Sequence, residues 1–146
     1  MPVFRNCADW LAEPERLAPG PGPQAVRAAL AWLQELAQRQ AWPEPTRHAL
    51  ILCADEALTN VTTHARTPDG GPVRLWLGCG HTRDGLALCI VDDGTAFDPT
   101  RQPLPALAAS LDEARPGGQG LRLMRHYLRS MRYQRQGDRN VLVLEL

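Results

Sequence analysis

Val73-Arg74-Leu75-Trp76-Leu77-Gly78-Cys79, His81-Thr82-Arg83-Asp84-Gly85 and Leu86-Ala87-Leu88-Cys89-Ile90-Val91 together decide the fold. In the first segment Val73, Leu75 and Leu77 alternate with Arg74, Trp76 and Gly78, the period of a strand with one covered face. The second is a polar turn closed by glycine. The third is apolar throughout, as expected of a strand at the centre of a sheet. Two strands joined by so short a turn run antiparallel.

Outward from this hairpin the pattern becomes helical. From about Pro45 to His64 a buried stripe of Leu50, Ile51, Ala54, Ala57, Leu58 and Val61 predicts a helix, ended by Thr67-Pro68-Asp69-Gly70-Gly71-Pro72. Before it, Gln24 to about Gln40 carries Val26, Leu30, Leu33 and Ala37 at helical spacing, and Trp42-Pro43-Glu44-Pro45 separates the two. Ala18-Pro19-Gly20-Pro21-Gly22-Pro23 reads as a turn or linker. Within Pro2–Leu17, Ala8–Glu13 fits a short helix and Val3-Phe4 a strand start.

Toward the C-terminus, residues 92–119 form a long loop rich in Pro, Gly, Asp and Ala, with a short helical turn at Pro105–Leu111. Loops of this length inside a domain are usually functional. A third helix is expected from about Gly120 to Ser130, with Leu121, Met124, Leu128 and Met131 on one face. Arg132–Gln136 and Val141–Leu144 then read as strands around a Gly137-Asp138 turn. The architecture implied is an α/β two-layer sandwich, a mostly antiparallel sheet covered on one face by about three helices. The 146 residues suit one domain, here 24–146, with 1–23 as an N-terminal extension.

Composition removes several chemistries. All 16 basic side chains are arginine, so no lysine serves a phosphate loop, a Schiff base or a protein-kinase-type strand. Phosphate must be met by backbone N–H groups, arginine or a metal ion. Ser110 and Ser130 are the two serines, and neither lies in a G-x-S-x-G elbow. The formal net charge is zero, which gives no case for direct nucleic-acid binding. Residues 117–146 nevertheless hold six arginines against Asp138 and Glu145. Arg122, Arg125, Arg129 and Arg132 read as a stripe beside the apolar face of the third helix, either solvated or facing an acidic partner. Cys7, Cys53, Cys79 and Cys89 form no C-x-x-C pair and read as reduced, packed thiols without a zinc site. No apolar run is long enough to cross a membrane and no signal-peptide pattern is present, so a cytoplasmic location is expected.

Three constellations carry candidate chemistry. In Asp55-Glu56-Ala57-Leu58-Thr59-Asn60-Val61-Thr62-Thr63-His64, Glu56, Asn60 and His64 recur every four residues and share a helix face that borders the apolar stripe. An Asn carbonyl oxygen there suits a hard cation, and a Glu can accept a proton. Ordinary polar residues near a helix end are the bland alternative, and His64 also fits a plain dipole contact. Val91-Asp92-Asp93-Gly94-Thr95-Ala96-Phe97-Asp98-Pro99 places an Asp at a strand end, able to accept from an exocyclic amine, and a Gly that admits close approach to a base. The alternative is an acidic turn. Pro116-Gly117-Gly118-Gln119-Gly120-Leu121 is a glycine-rich loop opening a helix, an anion site that needs no lysine.

In this order and spacing, the three resemble the N, G1 and G2 boxes of the GHKL ATP-binding fold found in gyrase, the heat-shock chaperone ATPase, histidine kinases and MutL. The resemblance is nearest to the compact anti-sigma-factor serine/threonine kinases of bacterial sporulation and stress signalling. Those carry D-E-A-x-T-N-x-x-x-H-A, here Asp55 to Ala65; D-x-G-x-x-F-D-P, here Asp92 to Pro99; and G-G-x-G-L, here Gly117 to Leu121. The resemblance covers roughly residues 24–146. It implies ATP and Mg²⁺ as cofactors, Asn60 as the metal ligand and Glu56 as the general base toward a protein hydroxyl. Asp92 is implied as the adenine acceptor with Gly94 against the base, and Gly118, Gly120 and Leu121 as phosphate-loop positions. Residues 98–117 are implied as an ATP lid in which Arg101 or Arg115 reaches phosphate. Ala96 departs from the glycine of the wider family. The implied partners are a small antagonist protein, which is phosphorylated, a sigma factor and a second copy of the chain. The contrasting reading is an ATP-binding partner-switching module without catalysis.

Overall fold

Leu86 to Val91 lies at the centre of the sheet because its side chains are wanted on both faces. The computed structural model describes the backbone of residues 12–101 and 120–146, and the side chains of 15–101 and 124–146. The elements in chain order are β1 (Ala12–Pro21), α1 (Pro23–Arg39), α2 (Glu44–His64), β2 (Arg74–Thr82) and β3 (Gly85–Asp92). After a 3₁₀ turn (Pro99–Arg101) come α3 (Gly120–Tyr127), β4 (Ser130–Gln136) and β5 (Arg139–Glu145). The strands form one sheet in the order β1-β2-β3-β5-β4, with every neighbouring pair antiparallel.

Strand alternation divides the apolar residues between the faces. Leu75, Leu77, Leu88, Ile90, Leu142 and Leu144 pack with Leu33, Leu50, Leu58 and Met124 of the three helices in the main core. Cys89, Val91, Val141 and Val143 form a second buried cluster on the other face, against Trp76. The two-layer expectation therefore holds. Cys53 and Cys79 are buried free thiols. Burial pushes them up to about 11 and about 12, so they serve as packing groups. Among the described residues no helix is long and apolar enough to cross a membrane.

Several boundaries differ from the sequence reading. Residues Ala18–Pro21, expected as a turn, continue β1, which pairs along β2 from Ala12↔His81 to Pro21↔Arg74. Proline is tolerated because β1 is an edge strand, and the register shifts between Ala12 and Glu15 and between Leu17 and Gly20, where Pro14 and Pro19 lie. The buried face of α1 is Ala25, Ala29, Leu33, Leu36 and Ala37, rotated from the expected stripe, with Val26 and Leu30 half-buried at its border. The alanines let the helix lie close to the sheet. An Arg39–Glu15 ion pair of 3.0 Å ties α1 to β1.

The third helix ends at Tyr127, short of Ser130. The Arg129 N–H instead donates to the Glu145 carbonyl at 2.8 Å, and Ser130 opens β4 opposite Glu145. Arg129 and Arg132 therefore do not continue a helical stripe. Both pair with the Glu145 carboxylate, at 3.2 and 2.5 Å. The β4–β5 turn is Gly137-Asp138, and Gly137 has φ 60, the left-handed region a two-residue hairpin turn demands.

Candidate functional site

Helix α2 lays its buried residues Ala54, Ala57, Leu58 and Val61 on the sheet, which turns Glu56 and Asn60 to the rim of the core. Both are half-buried, one helical turn apart, and among the described residues neither side chain has a hydrogen-bond partner. Burial, with Asp55 adding to it, holds the Glu56 carboxyl above its ordinary range, which suits a group that takes up a proton. The neighbouring Asp55 is exposed and accepts from the Thr59 hydroxyl at 3.3 Å, away from the rim. The helix end is satisfied by Arg66, whose Nη1 donates to the carbonyls of Thr62, Thr63 and Ala65 at 3.0, 3.2 and 2.7 Å. His64 is exposed, its ring 6.4 Å from that of Phe97.

Asp92 closes β3 and is 3% exposed. Its Oδ1 accepts from the Gly94 N–H at 2.9 Å and from Asn140 Nδ2 at 2.9 Å. Burial raises the carboxyl above its usual range, while Asn140, Gly94 and Arg135 act in the opposite direction. Beside it lies a narrow cavity of about 10 Å³, room for one water at most. Val61 and Ala65 of α2, Leu142 of β5, and Phe97 and Pro99 of the following loop supply its apolar walls, and Asp92, Tyr133 and Asn140 supply its polar groups. The cavity forms a small slot with the Asp92 carboxylate in its wall, beside the C-terminal end of α2 through Val61 and Ala65.

Gly94 is also required by the packing of the protein itself. A Cβ there would sit 2.9 Å from Asp92 Oδ1, 2.9 Å from Val73 Cγ1 and 3.0 Å from Ala65 Cβ, so the protein itself leaves no room. Gly94→Ala is expected to lower stability by about 1–3 kcal/mol through overpacking, read as a shift in denaturant midpoint. Ala96 is exposed. Asp98 caps the 3₁₀ turn through the Thr100 N–H at 2.9 Å, and Arg101 is 87% exposed with its Nε 3.5 Å from Asp98. Gly120 opens α3 as the motif anticipates, followed by Leu121. Gly118 and Arg115 lie outside the described residues, as does the expected turn at Pro105–Leu111.

Sequence reasoning missed Asn140, Tyr133 and Arg135. Asn140 follows a Gly-Asp turn and reads as part of it, and nothing local marks its contact with Asp92, that of Arg135 with Gly94 or that of Tyr133 with Asn140. Among the described residues no group of three or more His, Cys, Asp or Glu could hold a metal ion. Asn60 offers one amide oxygen. A single protein donor fits Mg²⁺, which keeps waters and takes phosphate oxygens, and does not fit an all-protein cage.

Comparison with known proteins gives a consistent assignment. The family described as histidine kinase-like ATPase domain matches residues 21–146. The chain is 49% identical over 116 residues to the serine/threonine-protein kinase BtrW of Bordetella bronchiseptica, covering 80% of this chain and 81% of that one. It superposes on the structure of the RsbU and RsbW domains of Rv1364c from Mycobacterium tuberculosis with a TM-score of 0.63 at 13% identity, over 91% of this chain and 32% of that longer one. The chain thus belongs to the family of histidine kinase-like ATPase domains, and its antiparallel sheet backed by helices agrees with that membership.

Proposed function

We propose that the chain is an ATP- and Mg²⁺-dependent serine/threonine protein kinase of the anti-sigma-factor type, which phosphorylates a small antagonist protein and thereby controls a sigma factor. The observation that carries this reading is the half-buried Glu56 carboxylate, unpartnered among the described residues and one helical turn from Asn60 beside the Asp92 slot. A relative 49% identical is named a serine/threonine-protein kinase, which supports the same conclusion.

Each residue has a distinct task in this scheme. Asp92 accepts a hydrogen bond from the exocyclic amine of adenine, whose faces lie against Val61, Ala65 and Leu142. Asn60 offers its amide oxygen to Mg²⁺, which when bound neutralises phosphate charge. Glu56 takes the proton of the attacking serine or threonine hydroxyl. Backbone N–H groups at Gly118, Gly120 and Leu121 meet the phosphates at the start of α3, and Arg101 or Arg115 supplies the cationic side chain. Catalysis is then positioning and charge neutralisation, which requires no lysine. The catalytic unit is the single domain 24–146, to which β1 adds an edge strand, and it acts as a homodimer in the cytoplasm.

The proposal is tested by mixing the chain, ATP·Mg²⁺ and the antagonist encoded near its gene. Intact-mass analysis of the antagonist should show one added phosphate, located on serine or threonine. ATP binding without any such product would assign the chain to partner switching without catalysis.

A further inference from the structure

Asn140 belongs to none of the three motifs, yet it is the hub of the polar contacts around Asp92. It is 3% exposed and pairs with Asp92 across the β3–β5 ladder. Its Nδ2 donates to Asp92 Oδ1 and to the Thr95 carbonyl, both at 2.9 Å, with the Gly94 carbonyl at 3.5 Å. Its Oδ1 accepts from the Tyr133 hydroxyl at 2.6 Å, Arg135 Nη1 at 3.1 Å and the Phe97 N–H at 3.3 Å. All partners on one side are acceptors and all on the other are donors, so the amide has one consistent orientation. Arg135 Nη1 also donates to the Gly94 carbonyl at 2.7 Å, and the Thr95 N–H donates to the Arg66 carbonyl at 2.9 Å. Residues 94–97 are thereby fastened to β4, to β5 and to the exit of α2.

The consequence falls on Asp92. Both of its hydrogen bonds fall on Oδ1, and among the described residues none falls on Oδ2. We propose that Asn140 is a positioning residue for base selectivity: it commits Asp92 Oδ1 to the protein and leaves Oδ2 as a fixed acceptor in the slot, with Tyr133 and Arg135 holding Asn140. The inference rests on the slot's reading as an adenine site. A fixed, ionised acceptor pairs with a 6-amino group and repels the 6-carbonyl of guanine. A carboxyl that takes up a proton can donate to that carbonyl, and losing the Asn140 donor, which favours the ionised form, makes that uptake easier while freeing the group to turn.

The test uses the full chain and the fluorescent N-methylanthraniloyl forms of ADP and GDP, titrated against wild type, Asp92→Asn, Asn140→Leu, Asn140→Asp and Tyr133→Phe. Folding is followed by circular dichroism. Wild type should prefer ADP. Asn140→Leu and Asn140→Asp should weaken ADP about 10-fold or more, as expected when a buried group loses its partner. The ADP-to-GDP preference should fall with it, and Tyr133→Phe should shift the same ratio by a smaller factor. A merely structural role would lower both affinities equally, so an unchanged ratio in the folded variants overturns the proposal. If Asn140→Leu does not fold, Asn140→Asp and Tyr133→Phe decide by the same ratio. Should Asp92→Asn keep wild-type ADP affinity, the adenine reading itself fails. A loss in Asp92→Asn with no change at Asn140 or Tyr133 overturns this inference alone.

Discussion

Asp92→Asn is expected to weaken ATP binding by about 30- to 150-fold while the chain stays folded, because an unmatched buried hydrogen-bonding group costs roughly 2–3 kcal/mol. The substitution keeps the shape and changes one oxygen to NH₂. Which oxygen changes is dictated by the surroundings. The Gly94 N–H and Asn140 Nδ2 both donate to the same atom, so the variant's amide oxygen must stay there and its NH₂ must face the slot. The exocyclic amine of adenine would then meet a donor. Titration calorimetry measures the loss, and thermal unfolding reports the fold.

Stability should not suffer from this change. The folded Asp92 carboxyl lies above its ordinary range because it is buried, so the native state holds its proton more tightly than the unfolded chain. That contribution is present at low pH and is lost as pH rises through the raised value. The Asn variant has no such loss, so its stability should fall less than wild type over the same window. Unchanged ATP affinity would show that Asp92 does not read the base.

Glu56→Gln is expected to leave ATP affinity within about twofold and to slow phosphate transfer by roughly 10²–10⁴, the usual contribution of a positioned general base. Gln preserves size and hydrogen-bonding capacity at a half-buried site and removes only the ability to take a proton. The wild-type rate should fall as pH drops through the raised Glu56 value, where the base becomes protonated. That limb should be missing in the variant. Single-turnover transfer across pH measures both effects.

The parts of this fold that were legible in the sequence are those encoded locally. The β2–β3 hairpin follows from period-two alternation and a run with no polar face, and α2 from a stripe of six apolar residues between two proline breaks, all but Ile51 of them buried. The missed parts depend on distant partners. Strand β1 exists because β2 offers it a ladder, and its prolines look like punctuation until it is known to be an edge. Helix α1 hid its buried face because alanine marks neither core nor surface. At the site, Glu56, Asn60 and Asp92 were legible because a helical face and a strand end display them. Asn140 and Arg135 were not, since they reach Asp92 and Gly94 across 48 and 41 residues of chain.

In the proposed function this site moves phosphate from ATP to a protein hydroxyl with Glu56 as the base. The most direct measurement is transfer of γ-labelled phosphate from ATP to the antagonist, run side by side with wild type and Glu56→Gln after both have been shown to bind ATP equally. Wild type should label serine or threonine rapidly, and the variant should leave almost no label. Equal labelling by the two proteins, or none by a wild type that binds ATP, would contradict it.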